Sequence, residues 1–175
     1  MDTVVVTPGT PPVSLAEAKA HLRVTHTAED TLIQAYVAAL TAEAEAHTGR
    51  PLSPGTVYRS TATLREGGHA LRYSLPLAPA VAVSAVTLNG AAVDPLTYRA
   101  DPEGVTLDAP LTYADGDALA VTFTGGRDYP VARLAILKAL ATAYENRSDV
   151  GAAASSARLP QSSTDLLHSI TRYHV

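Results

Sequence analysis

Two periodicities divide this chain: apolar residues recur at helical spacing towards both ends and alternate with polar ones through the middle. Leu15, Ala18 and Leu22 mark a first helix. The capping box Ser14-Leu15-Ala16-Glu17 opens it, and the weak helix formers Thr25-His26-Thr27 end it near Val24. Thr27-Ala28-Glu29-Asp30 repeats the start signal, with acidic residues where they meet the positive end of the helix dipole. Leu32, Ile33, Tyr36, Val37, Leu40 and Ala44 then form one apolar stripe, stopped by Gly49 and Pro51. The spacing predicts helices over 14–24 and 27–48.

From Thr56 the period is two: Val57, Arg59, Thr61 and Thr63 oppose Tyr58, Ser60, Ala62 and Leu64. Glu66-Gly67-Gly68-His69 reads as a turn joining this strand to Ala70–Ser74 as a hairpin. Leu75-Pro76-Leu77-Ala78-Pro79 breaks the pairing, because proline cannot donate to a ladder. A strand resumes over Val81–Leu88 and closes at Asn89-Gly90, the sharpest turn signal in the chain. Thr97–Ala100, Gly104–Leu107 and Leu119–Thr124 supply three further short strands. The middle, 56–124, therefore reads as an antiparallel meander.

Gly125-Gly126 ends the strands, and Asp128 with Pro130 opens a third helix over 129–147. Leu134, Leu137, Leu140 and Tyr144 share one face, and Ile136 widens the apolar zone, so burial on two sides is expected, against its own domain or another subunit. Ser148–Ser156 has the composition of a flexible tether. Beyond it lies an apolar cluster of Leu159, Pro160, Leu166, Leu167, Ile170, Tyr173 and Val175, with Ser162 or Ser163 placed to cap a short helix. That cluster can dock back on its own domain or on a neighbour; the tether favours the neighbour. The fold class is α+β: a small bundle of about three helices with an inserted antiparallel β meander and an extended C-terminal tail. Its organisation is an arm over 1–13, a domain over 14–147, and a linker with docking segment over 148–175.

Composition narrows the function. The 175 residues, 46% hydrophobic, suffice for one domain and its tails. With eight Tyr, one Phe and no Trp, most apolar bulk comes from Ala and Val, and so thin a core leans towards oligomerisation. No cysteine is present, which removes disulfides and thiolate metal sites. A net charge of −4 argues against nucleic-acid binding as the main task. Arg133, Lys138, Arg147, Arg158 and Arg172 are scattered among acidic residues. The N-terminus lacks the pattern of a secretory signal and no apolar run is of membrane length, so a soluble cytoplasmic product is expected.

Catalytic signatures are missing. There is no Gly-x-Ser-x-Gly, phosphate-binding loop, His-Glu-x-x-His or dinucleotide fingerprint. His21 and His26 are not spaced to share one helix face. Asp94, Asp101, Asp108, Asp115 and Asp117 stand in turn contexts, where aspartate caps local backbone. No catalytic, cofactor or metal residue is assigned, and no cofactor is expected. Two rival functions remain: a small-molecule or carbohydrate-binding β module using Tyr58, Tyr73, Tyr98 and Tyr113, and a small hydrolase using the β-region aspartates.

Val13-Ser14-Leu15-Ala16-Glu17-Ala18-Lys19-Ala20-His21-Leu22-Arg23-Val24, Glu29-Asp30-Thr31-Leu32-Ile33 and His47-Thr48-Gly49-Arg50-Pro51-Leu52 resemble the opening of the phage head-tail connector family. Tyr144-Glu145-Asn146-Arg147, Leu159-Pro160 and Leu166-Leu167 resemble its close. These are the adaptor or head-completion proteins of long-tailed phages and gene transfer agents. The resemblance implies a non-catalytic virion protein of the neck, a ring of roughly twelve sister subunits beneath the portal that joins the DNA-filled capsid to the tail. Its implied partners are the portal protein, sister subunits, the next neck or tail component (a stopper or terminator), and passing DNA without sequence-specific binding; no membrane is involved. On this reading Leu159, Pro160, Leu166, Leu167, Ile170, Tyr173 and Val175 dock on the portal. Leu134, Ile136, Leu137, Leu140 and Tyr144 then line the subunit interface.

Overall fold

The computed structural model describes residues 2–65, 71–108, 113–146 and 159–172. The chain forms two compact units, one of Met1–Thr10 with Ser53–Gly126 and one of Pro11–Leu52 with Arg127–Val175. The expected turn at 66–69 and tether at 148–156 lie outside the described residues.

In the β unit the strands are β1 (Asp2–Thr7), β2 (Thr56–Thr63), β3 (Leu71–Ser74), β4 (Ala80–Leu88), β5 (Ala91–Ala92), β6 (Tyr98–Asp101), β7 (Gly104–Leu107) and β8 (Ala118–Gly125). Alternation places Leu119, Val121 and Phe123 of β8 on one face, all fully buried. Their ladder partners Ala62, Ser60 and Tyr58 on β2 share that face. Tyr58 and Phe123 stack at 5.4 Å, and with Val105, Leu107 and Leu75 they anchor the core. The Tyr73 hydroxyl lies 2.6 Å from Ser60 Oγ, which gives two buried polar groups a partner in an apolar layer. Burial raises the Tyr73 pKa, so the phenol stays neutral.

The α+β class and the inserted antiparallel region agree with expectation, but the connectivity is not a meander. Five strands run β1-β2-β8-β4-β5 and three run β3-β7-β6. The proposed hairpin of β2 with the 70–74 strand is also incorrect. β2 pairs with β1 and β8, while β3 pairs with β7 in the other sheet. Period two identifies which face a residue occupies, yet it carries no information about the partner strand. Local turns fared better: Asn89 and Gly90 both take positive φ (50° and 82°) and join Leu88 to Ala91 in a two-residue hairpin. Gly126, at φ 99°, ends β8 where an added Cβ would fall 2.0 Å from the Ser53 carbonyl oxygen. The first residues, read as an arm, form β1 along β2.

Asp117 locks the β4–β8 end of this unit. Its carboxylate accepts from the Ala114 amide and from Asn89 Nδ2, each at 2.7 Å, and these bonds lower its pKa. Asp101 is lowered likewise by the Arg72 guanidinium. Because both folded values lie below the unfolded ones, their stabilisation is complete above the ordinary carboxylate range of about 4 and is lost as pH falls through the folded values. Acid titration of the unfolding midpoint should therefore be flatter below pH ~4 in Asp117→Asn than in the parent chain; identical slopes would refute this role.

The helical unit contains α1 (Leu15–Leu22), α2 (Asp30–Thr48), α3 (Pro130–Glu145) and α4 (Gln161–Leu167), with a 3-10 turn over His168–Ile170. Ser14 caps α1 as expected, accepting from the Glu17 amide at 3.2 Å, and Arg23 at φ 58° closes it. Asp128 does not cap α3: Tyr129 takes that position without a side-chain bond, and the Asp128 carboxylate pairs with Arg133 at 3.1 Å. Ala18, Ala44, Ala132, Ala135 and Ala139 are buried at the helix contacts, so backbones pack closely and the larger side chains Ile33, Leu40, Ile136 and Leu140 fill what remains. No helix among the described residues is long and apolar enough to cross a membrane.

Candidate functional site

The third helix, α3, was expected to present two apolar faces, and its residues divide unequally. Ile136 and Leu140 are fully buried in their own helical core, Leu137 and Tyr144 pack against it half-buried, and only Leu134 turns outward, 49% exposed. The Tyr144 hydroxyl donates to Glu29 Oε2 just before α2. Lys19 and Asp30, 2.6 Å apart, tie α1 to the start of α2. The first link holds α3 against the start of α2 and the second holds α1 to α2, and sequence periodicity could not separate such a packed α3 from an intersubunit contact.

The described part of the C-terminal segment is folded onto this same unit. Leu167 is fully buried and Leu159 is 8% exposed, while Pro160, Leu166 and Ile170 are half-buried. Tyr173 and Val175 lie outside the described residues. Three polar contacts anchor the segment: the Leu159 amide donates to Glu43 Oε1 at 2.7 Å, Arg50 Nε to the Ile170 carbonyl at 2.5 Å, and the Arg172 amide to the Thr48 carbonyl at 2.8 Å. Thr48 and Arg50 stand in the opening motif, but nothing in the sequence pairs them or Glu43 with the tail, since receiving groups more than a hundred residues upstream leave no periodic signal. Two oxygens in this region, Glu43 Oε2 and Ser163 Oγ, are buried without a hydrogen-bond partner among the described residues.

The features examined for chemistry resolve into local structure. Asp94 accepts from the Leu96 amide, Asp101 pairs with Arg72, Asp108 with Arg99, and Asp117 with Asn89 and Ala114. His26 stands 3.8 Å from Glu29. Among the described residues no three His, Cys, Asp or Glu side chains are grouped to hold a metal. Tyr58 and Tyr73 are core residues, and Tyr98 and Tyr113 pack half-buried against that core, so the four do not line an aromatic cleft.

Residues 12–87, which span α1 to nearly the end of β4, match the family of Phage gp6-like head-tail connector proteins. No curated protein matches the chain. Solved structures match over its whole length. A chain in the neck of an empty GTA particle computed with C6 symmetry is 25% identical, with a TM-score of 0.74 over 100% of this chain and 97% of that one. A chain in the virion of a native gene transfer agent particle has 25% identity, the same coverage and a TM-score of 0.73. Another, in the neck of a native GTA particle computed with C12 symmetry, has 26% identity, the same coverage and a TM-score of 0.67. The resemblance seen in the opening and closing motifs is thereby borne out, and the binding-module and hydrolase alternatives find no support. Residues 12–87 thus resemble the phage gp6-like head-tail connectors and the whole chain shares its fold with proteins of gene transfer agent necks, which together support a structural head-tail adaptor.

Proposed function

We propose that the protein acts without catalysis as a ring of about twelve sister copies between the portal and the next neck component, and that its C-terminal segment moves from its own helical unit to the portal on assembly. The observation that carries this reading is the full-length match to neck structures of sixfold and twelvefold symmetry. Residues 14–147 then build the ring, 148–175 tether and dock, and Leu134 with its α3 neighbours faces the adjoining subunit. The two buried oxygens without partners support the transfer, because each such group costs about 1–3 kcal/mol and weakens the resting position of the segment. Repeated weak docks on a symmetric partner then add through effective concentration. A net charge of −4 per copy suits a passage that DNA crosses without adhering.

A synthetic peptide of residues 159–175 should compete with the intact chain for purified portal rings, measured by co-sedimentation. Undiminished co-sedimentation at saturating peptide would remove the segment from the portal contact. Failure of the intact chain itself to bind the portal would remove the whole reading.

A further inference from the structure

Among the described residues the five-stranded sheet has two uncovered margins. At one end, β1 pairs with β2 and with no strand on its other side. At the other end, β5 covers β4 only at Thr87 and Leu88, and the Val86 carbonyl is taken by the Val93 amide. Residues 81–85 have no strand on that side. The β1 margin runs Thr3-Val4-Val5-Val6-Thr7, with no lysine, proline or inward charge to blunt it; its register shifts between Val5 and Thr7, and that of β4 shifts between Ala80 and Ala82 and between Val83 and Ala85.

The side chains lead to the same place as the backbone. Register aligns Val5 with Tyr58, Tyr58 with Phe123, and Phe123 with Val83, so a single core row crosses the sheet from margin to margin. Its middle members are buried, but the core stops short of β1, and Val5 is left 55% exposed although it lies on the core face. Val4 and Val6 are similarly exposed, and Val81 at the opposite margin is 68% exposed.

We propose that β1 of one copy adds to the 81–85 margin of β4 in the next copy, joining the sheets edge to edge around the ring. This rests on the ring reading above. Strand sense favours a sister copy as the occupant. Every pair in the sheet is antiparallel, so along β1-β2-β8-β4 the direction alternates and β4 runs opposite to β1. A second copy in the same orientation therefore brings its β1 antiparallel to β4, and the alternation continues unbroken. The two margins are different patches at opposite ends of one sheet, which is the head-to-tail arrangement a closed ring requires. Pairing β1 with β1 would instead consume the edge at two copies.

The absence of native cysteine permits a direct test. Val4→Cys combined with Ala82→Cys, assembled with the portal and treated with a short bismaleimide, should yield a ladder of covalent multimers on a denaturing gel. Each single variant should stay monomeric. A dimer from Val4→Cys alone would show β1–β1 pairing and overturn the proposal. Portal-bound rings of normal size without a ladder would overturn it while leaving the proposed function standing, whereas absence of any ring would take both down. As a second variant, Val5→Lys should abolish rings with little change in the unfolding midpoint of the free chain; retained rings would also refute the edge contact.

Discussion

Phe123→Ala is expected to lower the unfolding free energy by about 3–5 kcal/mol. The ring is fully buried at the centre of β8, flanked in the ladder by Tyr58 and Val83 and stacked on Tyr58. Truncation removes apolar transfer energy and leaves a cavity that a regular sheet cannot collapse to fill. It also removes a stacking partner, which contributes about 0.5–1.5 kcal/mol beyond burial. Against a total of roughly 5–15 kcal/mol for a natural domain, such a loss leaves the β unit near its limit. Urea unfolding followed by tyrosine emission, which no tryptophan obscures, gives the number. A change under about 1 kcal/mol would mean that the sheet repacks, and the assigned core would be wrong.

Leu167→Ala should cost about 2–5 kcal/mol, far more than Leu166→Ala one residue earlier. Leu167 is fully buried in the helical core, whereas Leu166 only packs against its margin. The contrast separates two pictures of the free protein. If the C-terminal segment is seated on its own unit, the Leu167 side chain stabilises that seat and its removal is costly. With a freed tail, neither substitution would register in chemical denaturation. Amide hydrogen exchange offers an independent check: the Leu159 and Arg172 amides, bonded to Glu43 and Thr48, should be protected in the parent chain and lose protection in Leu167→Ala. Equal effects of the two substitutions would refute the seat.

The seat also bears on what drives the tail towards a partner. The Gly-Ala-Ser stretch before its apolar residues favours a neighbour as their dock, yet Leu159 and Leu167 are covered by the protein's own α2 and α3. In the proposed transfer, docking on the portal exchanges one buried site for another, driven by the difference between the two; Glu43 Oε2 and Ser163 Oγ, buried without a partner among the described residues, act on the resting side of that balance.

Local signals carried a definite share of this protein. The Ser14 capping box, the Ile33–Ala44 part of the α2 stripe, Gly49 as a left-handed stop, the Asn89-Gly90 hairpin and the alternation of β8 all depend on interactions within a few residues, and each stands where the spacing put it, whereas Leu32, placed in the same stripe, is 39% exposed. The order and spacing of the end motifs also pointed to the family that residues 12–87 match. Partner choice lay beyond reach. That β2 lies between β1 and β8, that β3 crosses to a second sheet, and that Glu43 receives Leu159 all follow from contacts between residues far apart in the chain. Local propensity and period decide which side of an element is apolar; which surface covers that side is decided by the joint packing of all elements, and there only the tertiary structure distinguishes a residue buried at home from one kept for a neighbour.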